Sequence, residues 1–195
     1  MKMKLKHTLI LVLILLLKMT NAQKSDDVKL ETLQLEENGI FPNNPNLPVL
    51  LYKNVFEFGN ADDPASVIEH LFQQNNWGDS WRNGIYTFQH YHSTAHEALG
   101  IYGGWAEVQL GGPGSKIVRI EKGDLVVLPA GTAHKKIDSG GGFAVVGAYP
   151  DGQSWDMNYG KPEELEKAKQ NISKVRLPLN DPVFGANGKM FEYWR

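Results

Sequence analysis

Between Ile85 and Ala148 the chain is cut by turn signals at short, even intervals: STA, GGPGSK, EKGD, PAGT and DSGGG. The runs between them are Ile85–His92, Ala98–Tyr102, Ala106–Leu110, Ile117–Glu121, Leu125–Leu128 and Phe143–Ala148. Short strands at this spacing predict a sandwich or barrel and argue against a parallel sheet. Twenty Gly, ten Pro and 10% aromatic residues agree with a turn-rich β protein. A chain of 195 residues, 42% of them hydrophobic, suits one domain with a full core. Upstream, strands are predicted at Glu31–Leu35 and Val49–Tyr52, on either side of the loop ENGIFPNNPNLP. A helix is predicted from Asp63-Pro64, with Asp63 as cap and an apolar stripe of Val67, Ile68, Leu71 and Phe72, ending near Asn75–Gly78. A short amphipathic helix is expected over Lys161–Ile172, and the apolar tail that follows is expected to pack across the strands.

The first 22 residues read as a leader, outside the fold. Lys2, Lys4 and Lys6 precede the unbroken apolar run Leu9–Leu17, and Thr20 and Ala22 hold the small-residue positions of a cleavage site. The run is shorter than the ~20 residues that cross a bilayer. No Cys follows it and no twin Arg precedes it, so the general secretory route is predicted, with residues 23–195 as the mature domain. Cleavage after Ala22 removes four lysines and no acid, taking the formal charge from −2 to −6. A periplasmic or secreted, acidic domain with no basic cluster is a poor partner for nucleic acid or for a membrane surface. With zero Cys there is no disulfide, no thiol nucleophile and no thiolate metal site.

The stretch His90–Glu97, HYHSTAHE, holds three of the six histidines. Alternate residues of a strand share a face, so His90 and His92 project together with Phe88, and Gln89 and Tyr91 point the other way. Beyond the STA turn Glu97 shares its parity with Leu99 and Ile101, and His96 with Ala98. If Leu99 and Ile101 are interior, Glu97 is interior too and His96 is not. Two imidazoles and a carboxylate converging from adjacent strands have the composition of a divalent transition-metal site. His134, after the turn in LPAGTAH, is the better fourth ligand; His70 reads as a surface residue of the helix. His92 and His96 have the spacing of a zinc-protease helix, but Ser93 stands where that motif needs Glu and the flanks are strand-like.

These residues resemble the two motifs of the cupin superfamily. Gly84, His90, His92, Glu97 and Gly104 match the first; Gly123, Pro129, Gly131 and His134 match the second, with Asp138 where Asn is usual. Together the motifs span residues 84–138. The stretches WRNGIYTFQHYHSTAHEALGIYGG and LPLNDPVFGANG extend the likeness to the YjlB-type cupins. The resemblance implies a mainly β, single-domain jelly-roll β-barrel with short flanking helices and with extensions at both ends packed on it. It implies His90, His92, Glu97 and His134 as ligands of a divalent metal: Zn, Ni, Mn, Fe or Cu. Cupins include dioxygenases, isomerases, epimerases, decarboxylases and non-catalytic binding proteins, so the fold does not choose the reaction.

The resulting expectation is an exported metal-binding protein with a small-molecule pocket. It is either an isomerase or oxygenase acting on a sugar-like or hydroxylated acid substrate, or a non-catalytic ligand-binding or metal-binding protein. Glu97 and His96 are the candidate catalytic residues, His96 as a group that orients Glu97 or a ligand. Tyr86, Phe88, Tyr102 and Trp105 are candidate pocket aromatics, with core packing as the alternative. Arg119 can bind an anion only if it faces inward. A homodimer is the symmetric default.

Overall fold

The computed structural model describes residues 28–150 and 152–195; the leader read at residues 1–22 lies outside them. Among the described residues seven strands form one antiparallel sheet: β1 (Lys29–Leu33), β2 (Val49–Lys53), β3 (Trp77–Asn83), β4 (Glu97–Leu110), β5 (Lys116–Glu121), β6 (Leu125–Leu128) and β7 (His134–Pro150). The order is β1-β2-β6-β4-β7-β3, with β5 paired to the later part of β4. The path ends at β1 and β3, so the predicted barrel is an open one, its first and last strands unpaired with each other. Among the described residues no helix is long and apolar enough to cross a membrane.

Several strand boundaries differ from those expected; β7 begins nine residues before the expected Phe143 and runs through DSGGG, expected as a turn. The runs Ala98–Tyr102 and Ala106–Leu110 are one strand, β4, which follows β7 through irregular register around Gly103. Gly104 makes this possible: its φ is +55°, and a Cβ there would lie 2.2 Å from the Gly140 carbonyl oxygen. Ile85–His92 is not a regular strand; only His90 and Tyr91 make isolated bridges, to His134 and Asn158. The strand lies earlier, at Trp77–Asn83. It runs along the sheet's edge with most residues exposed, and so lacks the apolar alternation that marks a half-buried strand. β1 starts and ends two residues before the predicted Glu31–Leu35.

Strand alternation feeds two cores. Leu50, Tyr52, Ala98, Leu125 and Val127 pack beneath helix α1 (Pro64–Gln74) and the C-terminal Met190 and Trp194. Val49, Leu51, Leu99, Val126 and Leu128 fill the opposite face. Each Val or Leu among them contributes ~1.5–3 kcal/mol by leaving water. Asp63 caps α1 by accepting from the Ala65 N–H (3.2 Å), and Ile68 and Phe72 on its inner stripe are fully buried. Helix α2 (Leu165–Ile172) follows a 3-10 turn at Pro162–Glu164. The tail, ending in α3 (Met190–Tyr193), is gathered by the buried Asp181. Its carboxylate accepts from the Tyr52 hydroxyl (2.6 Å) and from the N–H groups of Val183, Phe184 and Met190.

Candidate metal centre

The open end of the second core carries the histidines. His90 and His134 face each other across an isolated antiparallel bridge, with imidazole centroids 4.1 Å apart. His92 lies two residues on, and its carbonyl accepts from the Gly131 N–H at 2.7 Å. Gly131 has φ +95°, and a Cβ there would lie 2.6 Å from the Asn43 carbonyl oxygen, so the turn that brings His134 back requires glycine. Glu97 opens β4 opposite Leu128.

One ring nitrogen from each of His90, His92 and His134 lies within 4.8 Å of the others. Glu97 stands beside this cluster, with Oε2 3.7 Å from His92 Nε2 and 3.5 Å from His134 Nε2. Each Nδ1 is committed to a backbone carbonyl: His90 to Phe88 (3.2 Å), His92 to Asp156 (2.5 Å) and His134 to Thr132 (3.0 Å). A carbonyl only accepts, so Nδ1 holds the proton and Nε2 presents a lone pair. Lone pairs and a carboxylate oxygen thus converge with no donor among them, and the buried Oε2 has no hydrogen-bond partner. Such a set is costly by itself and is satisfied by a cation. The donors therefore fit a divalent metal, with a carbonyl behind each histidine to fix its tautomer.

Burial sets the protonation states. It holds His90 down at about 4 and His134 well below the ordinary histidine range. It pushes the Glu97 carboxyl up, against the opposing influence of His92 and of the Tyr149 hydroxyl. Neutral imidazoles at pH 7 are in the form that coordinates.

Around these four lies a supporting layer. Tyr149 Oη donates to Glu97 Oε1 (3.1 Å) and accepts from Trp81 Nε1 (3.2 Å), which leaves Oε2 for the cluster. The Asp156 carboxylate accepts from the Ser93 N–H and hydroxyl (2.5 Å each), the Thr94 N–H (3.3 Å) and the Asn158 amide (2.9 Å). This latch holds the neighbouring Trp155 over His92, ring centroids 5.3 Å apart, and stacked on Tyr149 at 5.9 Å. The space above the cluster is a cavity of about 390 Å³, walled by Trp81, Tyr86, Leu99, Trp155 and Met157.

Not every candidate is brought here. His96 is 1% exposed but belongs to the other core: its ring packs on Trp194 at 4.7 Å and its Nδ1 accepts from the Ala130 N–H. It does not reach the cavity, because its parity is that of Ala98 and opposite to that of Glu97. Tyr86 lines the cavity, and Phe88 stacks on Tyr86 from outside at 4.7 Å. Tyr102 packs against the core beneath α1, and Trp105 lies under the Arg119 guanidinium at 4.0 Å. Arg119 is thus no ligand for an anion in the cavity. His70 is exposed on α1 and hydrogen-bonded to Gln74 (2.8 Å). Trp81, Tyr149, Trp155 and Asp156 were not foreseen. Tyr149 lies one residue past its predicted strand, and Trp155 and Asp156 sit in a loop without periodicity.

No family model matches the chain. Over 164 residues it is 35% identical to the protein named Uncharacterized protein YjlB of Bacillus subtilis (strain 168), covering 84% of this chain and 96% of that one. Among solved structures it is similar to an acireductone dioxygenase from Bacillus anthracis with cadmium ion in its active center (14% identity, 57% of this chain and 83% of that one, TM-score 0.39). It is also similar to a cupin 2 domain-containing protein from Halorhodospira halophila (12% identity, 77% and 83%, TM-score 0.33). A third likeness is to dTDP-6-deoxy-D-glucose-3,5-epimerase RmlC from Legionella pneumophila (13% identity, 62% and 71%, TM-score 0.33).

Proposed function

We propose that this chain, which belongs to the family of YjlB, is an exported, metal-dependent cupin that isomerises or oxygenates a small hydroxylated molecule. His90, His92, Glu97 and His134 hold the metal in this reading. One observation carries it: three buried histidines point their lone pairs at one another and at an orphaned carboxylate oxygen, beneath an open cavity. When bound, the metal supplies Lewis acidity toward a ligand oxygen. The protein's own residues do the rest. The Tyr149 hydroxyl, bonded to Glu97 Oε1, is a proton carrier at the cavity wall. Trp81, Leu99, Trp155 and Met157 line the cavity with apolar surface. Export rests on the leader in the sequence, and the acid excess of the mature chain argues against a nucleic-acid partner.

Elemental analysis of the full chain from its native host tests the metal, and chelation tests its role. Near-stoichiometric metal is expected, and chelation is expected to abolish turnover or ligand binding while leaving most of the fold. Absence of bound metal, or chelator-insensitive binding, overturns the reading. Glu97→Gln separates an enzyme from a binding protein: the enzyme loses turnover with its fold intact, whereas a binding protein yields no product even as the wild type.

A further inference from the structure

The cavity has a charge inventory and a shape, and together they restrict its ligand. Arg82 is the only Lys or Arg among the described lining residues. Its guanidinium is already committed: Nε and Nη2 donate to the two Glu69 oxygens at 2.7 and 2.6 Å, and Nη1 donates to Asp63 at 2.9 Å. Two carboxylates balance one cation there. Asp79 adds another acid to the lining. A divalent cation held by Glu97 keeps one positive charge of its own, and counting Asp79 in the lining and the two carboxylates on Arg82, the cavity and its rim carry no cationic surplus for a polyanion. Phosphorylated or polycarboxylic ligands meet no free cationic partner in the walls, and desolvating such charges without a partner is costly.

The walls favour a flat apolar face. Two half-exposed rings flank the cluster: Tyr86 (50% exposed) set edge-to-face on His90 at 5.1 Å, and Trp155 (47% exposed) over His92. Neither is left to find its own place. Tyr86 is stacked on Phe88, and Trp155 is stacked on Tyr149 beside the Asp156 latch. Large aromatic rings packed on a neighbouring ring and half in water at a cavity mouth offer faces to a partner ring.

We infer that the cavity selects an uncharged ligand with a planar, aromatic ring and adjacent oxygen donors, held between Tyr86 and Trp155, and rejects polyanions. This rests on the metal-cavity reading above and narrows its substrate from hydroxylated molecules in general to uncharged planar ones. The carboxylic acids allowed by the sequence alone are the disfavoured branch.

Three probes with zinc-loaded full chain decide it, by calorimetry and by Trp emission. Catechol is planar and uncharged, with adjacent oxygens. trans-Cyclohexane-1,2-diol keeps the oxygens and loses the flat ring. Phthalate keeps the ring and carries two charges. Catechol is expected to bind at least about 10-fold more tightly than phthalate. Trp155→Ala is expected to weaken catechol about 2- to 12-fold, the range an aromatic pair adds, and to leave the diol unchanged; should this variant not fold, Tyr86→Ala reads the same contact from the other wall. Phthalate or the diol binding as well as catechol overturns the inference, as does a catechol affinity indifferent to both rings. Zinc content is measured on the same samples. Zinc retained without discrimination sinks the ligand class and spares the metal reading. Ring-dependent catechol binding to a chain that retains no zinc does the opposite.

Discussion

His96 and Glu97 are neighbours in sequence and are both buried, yet they stand in opposite cores with opposite chemistry. Beside Glu97, the ring nitrogens of the cluster face one another with lone pairs, because each Nδ1 proton is spent on a carbonyl. At His96 the wiring is reversed: Nδ1 accepts an N–H from Ala130, so the proton of the neutral ring sits on Nε2. The first arrangement can ligate a cation and the second cannot. Burial of a titratable group therefore does not mark this site. The direction in which its free lone pair points does, and that is decided by which backbone group stands behind the ring.

The sharpest way to break this comparison is to remove one histidine from each side. His92→Ala is expected to lower metal affinity by more than ~100-fold, beyond the 10–100-fold that loss of an outer partner costs. His96→Ala is expected to retain stoichiometric metal but to lose ~2–4 kcal/mol of stability, through the vacated space against Trp194 and the orphaned Ala130 N–H. Metal titration and urea denaturation of both variants check it. Metal loss in His96→Ala, or metal retention in His92→Ala, contradicts the two-sided picture.

The next effects concern residues that touch no metal in this reading. Asp156→Ala releases the four donors that tie the loop down while leaving the backbone carbonyl that accepts from His92 Nδ1. A fall in metal affinity of about 10–100-fold is expected, with Trp emission altered as Trp155 loses its place over His92. Tyr149→Phe deletes one hydroxyl and frees Glu97 Oε1 to rotate. Its expected cost is smaller, near 10-fold in affinity, with unchanged packing against Trp155. Equal affinity in either variant assigns that residue to packing alone.

How much of this was legible in advance follows from where the information sits. Parity placed Glu97 with Leu99 and turned His96 toward Ala98, because alternation along a strand is a local property of the backbone. The convergence of His90, His92 and His134 needed only two spaced motifs and one glycine turn. Trp77–Asn83 escaped because an exposed edge strand has no apolar period to read. Tyr102 shares the parity of Ala98 and packs in that core, so alternation itself turns it from the cavity; Trp105 would share the parity of Glu97, but the irregular register near Gly103 and Gly104 flips it, and Ala106 and Val108 face the second core instead. Asp156 and Trp155 escaped for another reason: a contact between residues 93 and 156 is a product of the folded sheet, and neither segment carries a pattern of its own.

The smallest expected effect is a slope, and it separates the two sides without removing metal. Burial holds His96 down at about 4, below the 6.5 of an exposed imidazole. Between those values the unfolded chain binds a proton at this position and the folded chain does not. Stability therefore rises with pH across this window, is complete above about 6.5, and is lost as pH falls toward 4, by ~1.4 kcal/mol per pH unit for one such group. His90 is held to a similar value and adds the same sign in metal-free protein. Metal changes that part, because protons and the cation compete for the same Nε2 lone pairs. It does not touch the His96 part. His96→Gln, whose amide oxygen can still accept from Ala130, is expected to flatten the pH dependence between 6 and 4.5 by that one increment, equally with and without zinc. Denaturation midpoints at pH 6, 5.5 and 5 check this. An increment that changes with zinc places His96 in communication with the metal side and ends the separation argued here.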